Sequence, residues 1–227
     1  MIDEITHIRT EVKFALGHVD ADAIAEELSA HLEPVRQAWV TTVYLDRPDR
    51  GLSQAARTSP SLNVKVRLRD YGDPDSIWLE LKRRAYAASE KVRVRLSRRS
   101  LGSFLDGRDV SGDVGDPAAY RDIRAFLPGL AEPVGAVRFF RRSFESREPR
   151  VRATIDRDVS YHLVTFVSGE EPFDARNLGL PIARDEGATM EVKYGTLAPL
   201  WLPAVARRLV RSAPSKFLNL LRHVDRF

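Results

Sequence analysis

Apolar and polar positions alternate through most of the middle of the chain. Residues 62–71 (LNVKVRLRDY), 76–84 (SIWLELKRR) and 90–99 (EKVRVRLSRR) make nearly every second side chain apolar, as a strand with one buried face does. The same alternation runs through Thr10-Glu11-Val12-Lys13-Phe14. Residues 38–45 (AWVTTVYL) are β-branched and aromatic, and read as a strand ending at the turn-prone Asp46-Arg47-Pro48-Asp49. A strand pair covers 134–145 and 149–160, with Arg147-Glu148-Pro149 near its turn, and 189–195 (TMEVKYG) forms the last strand. Helical spacing appears in 21–32, where Ile24, Leu28 and Leu32 recur behind a capping Asp20 and Pro34 follows. Further helices are expected over 117–127, opening on Pro117, and over 200–211 and 215–226, broken at Pro214 with Ser215 as a cap. Residues 168–187, rich in Gly, Pro and charge, read as a long irregular connection. Strands dominate the middle and helices the periphery and end, which is α+β order rather than the alternation that builds a parallel sheet. No repeat or linker divides the chain, so one domain over residues 1–227 is expected.

The polar faces of these strands carry an unusual charge. Lys65, Arg67 and Arg69 oppose Val64, Val66 and Leu68. Glu80, Lys82 and Arg84 oppose Leu79, Leu81 and Arg83, and Lys91, Arg93 and Arg95 oppose Val92, Val94 and Leu96. Arg150, Arg152, Thr154 and Asp156 oppose Val151, Ala153 and Ile155, while Glu11 shares a face with Lys13 and Glu191 with Lys193. The 134–145 strand is less decisive, because Arg138 goes with Phe140 and Phe139 with Arg141. An ordinary solvated face mixes signs, whereas these are mainly cationic, and like charges on adjacent strands repel. Such a face suits an anion that it surrounds. An antiparallel sheet closed into a barrel, with its Val/Leu side outward beneath helices, would form a tunnel for a polyanion. Arg offers forked bonds to phosphate oxygens and Lys a point charge; the interspersed Glu residues are hard oxygen ligands for Mg²⁺ or Mn²⁺.

Composition narrows the partner. Apolar residues make up 43% and charged ones 30%, which fits a packed core and excludes global disorder. The formal net charge of +4 suggests a polyanionic partner: phosphates, nucleic acid or an anionic membrane surface. The chain holds 30 Arg and only six Lys, five of them (Lys13, Lys65, Lys82, Lys91, Lys193) in strand-like segments. With no Cys, disulfides, thiolate metal sites and a cysteine nucleophile fall away, and a cytoplasmic location is expected. No apolar run reaches the length of a membrane span, and the acidic start Met-Ile-Asp-Glu-Ile-Thr-His does not read as a secretory signal. The five His residues show no ligand spacing. Trp39, Trp78 and Trp201 read as core or helix-packing residues, Asp156 and Asp158 as turn or salt-bridge residues, and Asp46 as a turn initiator. Arg207, Arg208 and Arg211 form a basic helix edge, solvated or facing a membrane surface or partner.

The motifs fall in a recognisable order: Glu11-x-Lys13-Phe14, Val43-Tyr44-Leu45-Asp46, Val66-Arg67-Leu68-Arg69-x-Tyr71, Glu80-Leu81-Lys82-Arg83-Arg84, Val92-Arg93-x-Arg95, Phe139-x-Arg141-x-x-Phe144, Arg150-x-Arg152-x-Thr154-x-Asp156, Glu191-Val192-Lys193 and Ser215-Lys216-Phe217. From about residue 7 to 218 the chain resembles the VTC domain, the polyphosphate polymerase domain of the vacuolar transporter chaperone complex and its bacterial relatives, among the CYTH-like triphosphate tunnel metalloenzymes. The resemblance implies an antiparallel β-barrel tunnel with flanking and C-terminal helices. It also implies Mn²⁺- or Mg²⁺-dependent transfer of the γ-phosphoryl of ATP onto a growing polyphosphate. The family's catalytic basic residues fall on Lys13, Arg67, Arg69, Lys82, Arg93, Arg141 and Arg152, its metal-binding Glu on Glu191, and its phosphate-holding Ser and Lys on Ser215 and Lys216. Arg95 and Lys193 join them as phosphate-binding residues on the same strand faces. The partners implied are ATP and polyphosphate or triphosphate rather than nucleic acid, and a membrane-protein partner is compatible with this. Three positions depart from the pattern. Phe139 replaces the family's Tyr, Arg84 stands where some relatives have His, and Arg9 occupies the place of the first Glu of the triphosphatases' Glu-x-Glu-x-Lys. The last favours the polymerase branch. The alternatives are a tripolyphosphatase or nucleoside triphosphatase on the same tunnel, or a non-catalytic polyphosphate-binding module, towards which Phe139 and Arg84 point.

Overall fold

Period-two patterning has a direct structural consequence here: it builds one large sheet whose apolar side faces helices. The computed structural model describes residues 10–17, 20–59, 61–85, 88–147, 150–164, 178–211 and 215–226. The strands among them are β1 (Thr10–Ala15), β2 (Glu33–Asp46), β3 (Leu62–Asp70), β4 (Ser76–Ala85), β5 (Ala88–Ser97), β6 (Glu132–Ser146), β7 (Val151–His162), β8 (Ala183–Arg184), β9 (Thr189–Tyr194) and β10 (Val210–Arg211). The α-helices are α1 (Ala21–Ser29), α2 (Gly51–Thr58), α3 (Leu101–Leu105), α4 (Pro117–Arg124), α5 (Leu202–Ala206) and α6 (Lys216–Val224). The strands hydrogen-bond in the order β10-β1-β9-β7-β6-β2-β3-β4-β5, with β8 beside β7. Every pair whose register is described is antiparallel. The α+β class and antiparallel sheet expected from the alternation are present. No helix among the described residues is long and apolar enough to cross a membrane.

Contacts divide the chain into two compact units. One is drawn from Met1–Trp39, Phe139–Val159 and Arg184–Pro214, the other from Val40–Arg138, Ser160–Ala183 and Ser215–Phe227. In the first, Val12 and Phe14 of β1, Val151, Ala153 and Ile155 of β7, and Met190 and Val192 of β9 pack with Ile24 and Leu28 of α1 and Val205 of α5. In the second, Val66 and Leu68 of β3, Leu79 and Leu81 of β4, and Val94 and Leu96 of β5 pack with Leu101, Phe104, Tyr120 and Ile123. These are the apolar positions of the alternation, so their opposite neighbours form the charged face by default.

Several elements differ from the sequence expectation. The helix read over 200–211 stops at Ala206, and Val210 and Arg211 instead pair with Ala15 and Phe14 on the outer edge of β1. An open strand edge offers unpaired backbone groups that a short extended segment satisfies. Helix α2 was hidden behind a polar stretch, because its cap lies outside the usual position. Arg50, at φ 58, gives α2 no side-chain cap. The carboxylate of Asp46, fully buried, accepts from Leu52 N at 3.0 Å and Ser53 N at 2.7 Å, and also from Arg47 N at 2.8 Å. Asp46 therefore starts the turn, as read, and also anchors the helix beyond it. The Arg147-Glu148-Pro149 turn, the Pro214 break, Arg9 and the first half of the 168–187 connection lie wholly or partly outside the described residues; in its second half Ala183–Arg184 forms the short strand β8.

Removing the Asp46 carboxylate strands two buried N–H groups, of Leu52 and Ser53, and the part-buried N–H of Arg47. Asp46→Ala is expected to cost about 2 kcal/mol, or roughly 4–8 °C in melting temperature for a chain of this size. Asp46→Asn, keeping one acceptor oxygen, should lose less. Thermal denaturation checks both, and an unaltered melting point in Asp46→Ala would show that this carboxylate does not hold α2.

Candidate functional site

In the second unit, three cross-strand rows define the charged face of β3, β4 and β5. Arg67 lies opposite Glu80, which lies opposite Arg93; Lys65, Lys82 and Lys91 form the row on one side, and Arg69, Trp78 and Arg95 the row on the other. Glu80 is 1% exposed and is reached by at least three cations. Arg67 places Nε at 2.9 Å and Nη2 at 2.8 Å from Glu80 Oε2, and Arg69 Nη1 stands 3.7 Å from the same oxygen. Lys91 Nζ takes the other oxygen at 2.6 Å. Arg69 also donates from Nε to Thr42 Oγ1 at 3.3 Å. Burial on its own would raise the Glu80 carboxyl, but the charges of Arg69, Arg67 and Lys91 outweigh it and hold the group well below the usual carboxylate range. Lys91 is pushed down to about 8 by burial, with the Arg69 and Arg67 charges adding to that effect and Glu80 opposing it.

The remaining sequence-predicted residues of this unit lie on the same strands and at the start of α6. The Arg93 guanidinium lies 4.6 Å from the centroid of the Trp78 ring and that of Arg95 5.7 Å. Trp78, read from sequence as a core or helix-packing residue, is thus an aromatic platform on the charged face, because its position falls in the same alternation as Glu80 and Lys82. Arg95 additionally pairs with Asp73 and donates to Ser76 Oγ, a surface turn that claims part of its hydrogen-bonding capacity. Lys65 Nζ donates to Ser215 Oγ at 3.0 Å and sits 5.5 Å from the Phe217 ring. Ser215 stands at the N-cap of α6 without a side-chain capping bond, and Lys216 is the first residue of that helix.

In the first unit, strands β1, β9 and β7 bring Glu11 opposite Lys193 and Lys193 opposite Arg152, and Lys13 opposite Glu191 and Glu191 opposite Thr154. The four central side chains close a ring. Lys13 Nζ lies 3.2 Å from Glu11 and 3.0 Å from Glu191, and Lys193 Nζ lies 3.2 Å from Glu11 and 2.9 Å from Glu191. Burial would raise Glu191, but Lys13 and Lys193 hold it well below the usual carboxylate range; burial would lower Lys13, yet Glu191 and Glu11 raise it. Arg141 grips Asp156 through two bonds of 2.6 and 2.8 Å, above the Phe139 ring at 5.1 Å. Asp156 is buried in this pair, in line with its reading as a salt-bridge residue, while Asp158 sits at φ 53 near Arg157. Arg152, half exposed, reaches Glu145 at 3.3 Å.

Each unit therefore presents phosphate-matching donors beside carboxylates. Glu11 and Glu191 are the hard oxygen donors that could hold Mg²⁺ or Mn²⁺. Among the described residues no three His, Cys, Asp or Glu side chains gather into a metal cage. A two-carboxylate site completed by phosphate and water fits the coordination habit of Mg²⁺. From sequence Glu80 reads as one of the interspersed hard-cation ligands, and Lys65 and Lys91 as members of the charged face without a site role of their own; in the structure Glu80 is instead the counter-ion of Arg67, Arg69 and Lys91. The signal for Glu80 as a counter-ion is the single acidic position flanked across the strands by Arg67 and Arg93.

The VTC domain family pattern matches residues 8–224 of the chain. No curated protein matches the sequence. Among solved structures, one similar fold is a Hippeastrum protein described as a candidate adenylyl cyclase with a dominant triphosphatase activity. It is 14% identical, with a TM-score of 0.54 over 93% of this chain and 94% of its own. Another is a Bacillus halodurans protein described as a candidate adenylate cyclase, 13% identical, with a TM-score of 0.54 over 94% of this chain and 96% of its own. At such identities the likeness is one of fold.

The depressed carboxylates fix a pH response. The unfolded chain protonates Glu80 and Glu191 near the ordinary 4.5, whereas the folded chain keeps them ionised to lower pH. Their stabilisation is thus complete above that value and is lost as the pH falls below it. Denaturant unfolding between pH 3 and 6 should show a steep acid limb in the wild type and a shallower one in Glu191→Gln. Equal slopes would mean that Glu191 is not held by its lysines.

Proposed function

Because the chain belongs to the VTC domain family, we propose that it is a metal-dependent polyphosphate polymerase, transferring the γ-phosphoryl group of ATP to a growing polyphosphate chain. The charged face of the sheet acts as the lining of a tunnel in which the phosphates run. The observation that carries this reading is the register of the face: cations in successive rows on β3, β4 and β5, gathered around the single buried carboxylate of Glu80. Positive charge is in excess there, and its spacing along the strands suits a chain of phosphates rather than one anion.

The chemistry needs no side-chain nucleophile. A terminal oxygen of the acceptor polyphosphate attacks the γ-phosphorus, the bond to the bridging β,γ oxygen breaks, and ADP leaves with that oxygen. Arg67, Arg69, Lys82 and Arg93 orient the triphosphate and stabilise the charge that shifts toward the leaving oxygen. Lys13, Arg141, Arg152, Lys193, Arg95, Ser215 and Lys216 supply further phosphate contacts. Glu191, with Glu11 beside the same two lysines, would hold Mn²⁺ or Mg²⁺, which supplies charge neutralisation on the phosphoryl oxygens. Arg141 is fixed for its role by Asp156 and the Phe139 ring, so the hydroxyl of a Tyr at position 139 is not needed to orient it.

Hydrolysis is the second reading, favoured by the shared fold of the Hippeastrum protein described as having triphosphatase activity; water would then replace the acceptor phosphate. Incubation with ATP and Mn²⁺, followed by separation of long polyphosphate from free phosphate, distinguishes the two. Polyphosphate with matching ADP is expected; free phosphate alone would establish hydrolysis, and unreacted ATP a binding module. Replacing Arg67 and Arg69 by Ala should lower turnover on the order of 100-fold or more. Glu191→Gln should lose metal-dependent activity without loss of fold; an unchanged Mn²⁺ titration would remove Glu191 from the metal role. Tripolyphosphate at about 100 times its dissociation constant should add about 2.7 kcal/mol to stability, a melting rise on the order of 5–10 °C that chloride at equal ionic strength does not give.

A further inference from the structure

We propose, on the footing of that phosphoryl-transfer reading, that Glu80 is a positioning residue for the phosphate-binding guanidiniums of β3 and that Lys91 is a further phosphate contact. Three cations converge on one carboxylate, and the two ends of that carboxylate are used differently. Oε2 holds Arg67 by both Nε and Nη2 and stands near Arg69, so the Arg67 fork is fixed in plane and direction. Oε1 holds Lys91 by one ammonium contact. The Arg67 side chain is 12% exposed, whereas that of Lys91 is 39% exposed. A phosphate arriving at this face can therefore draw Lys91 from Glu80 while Arg67 stays pinned.

A buried carboxylate in an anion site is otherwise a poor choice, because it repels the ligand. Its presence makes sense if it sets geometry at the expense of affinity. Without it, Arg67, Arg69 and Lys91 would repel one another and sample many arrangements. The lowered affinity of Lys91 for its proton supports the assignment. The groups around it are Glu80, Arg67 and Arg69, with Lys82 as its register partner on β4 and Arg93 further along β5. An anion placed among them raises the Lys91 amine from about 8, so binding takes up protons near pH 8 and weakens as the pH rises through that value.

An ion pair that served stability alone would behave otherwise when cut: affinity and turnover would fall together, or neither would move. The test compares wild type, Glu80→Gln, Glu80→Asp and Lys91→Met as full chains. Tripolyphosphate affinity and proton uptake are measured by calorimetry in buffers of different ionisation enthalpy at pH 8, and kcat and KM with ATP. Glu80→Gln should bind tripolyphosphate at least about threefold more tightly, since a repelling charge is gone, while kcat falls on the order of tenfold or more. Glu80→Asp should recover part of the kcat. Lys91→Met should weaken tripolyphosphate binding several-fold and abolish the proton uptake. Unchanged or parallel losses of affinity and kcat in Glu80→Gln overturn the positioning role. If that variant does not fold, Lys91→Met decides, and unaltered affinity and proton uptake overturn the proposal. A wild type that binds no tripolyphosphate would instead defeat the phosphoryl-transfer reading itself, a result distinct from variants that match a binding wild type.

Discussion

Cations crowded on one side of a sheet stay there only if carboxylates of fixed geometry stand among them. Cross-strand neighbours are about 5 Å apart, close enough for like charges to destabilise the pairing. Each unit meets this constraint with an acidic residue placed in register between basic ones. Glu80 stands between Arg67 and Arg93 on adjacent strands, Glu11 and Glu191 alternate with Lys13 and Lys193, and Asp156 receives both arms of Arg141. The downward displacement of Glu80 and Glu191 records the strength of the surrounding positive charge, which overcomes the burial that would otherwise raise them. In the second unit the carboxylate is outnumbered, and the excess leaves the face with net positive charge, as the proposed role in holding phosphates requires.

The apolar side of the same strands makes that arrangement affordable. Leu68, Leu79, Leu81 and Leu96 are fully buried, and the helices that cover them need no part in the chemistry. The joints between sheet and helices are local: Asp46 ends β2 and anchors α2 within a few residues, and Val210–Arg211 seals the open edge of β1. Rigid strands hold Arg67, Arg69, Lys82 and Arg93 at spacings that loops could not keep, which is what electrostatic catalysis of phosphoryl transfer requires.

Most of the sheet was legible because alternation is a short-range signal. Val66 and Leu68 inside, and Arg67 outside, follow from parity alone. What parity could not show is where partners come from elsewhere in the chain. Helix α2 is capped by a residue before the turn, so its own sequence carries no start signal. Residues 207–211 look helical in isolation, but an open edge on β1, nearly two hundred residues earlier, draws Val210 and Arg211 into pairing. For Trp78 residue type points to the core, but its parity places it with Glu80 and Lys82, and the guanidiniums of Arg93 and Arg95 lie over its ring. The cations of the site were found through the order of their motifs. Their counter-ions were harder to see, since the depth of Glu80 and the sharing of its two oxygens are properties of three strands in register.

Calorimetric titration of the wild-type chain with tripolyphosphate, beside orthophosphate and sulfate at matched ionic strength, tests most directly whether this face is built for a chain of phosphates. One saturable site is predicted, with affinity for tripolyphosphate exceeding that for either single anion by on the order of 100-fold or more, since each added phosphate meets another charge-assisted contact. Affinities that track ionic charge alone, without saturation at one ligand per chain, would contradict it and leave the sheet as a basic surface with no ligand of its own.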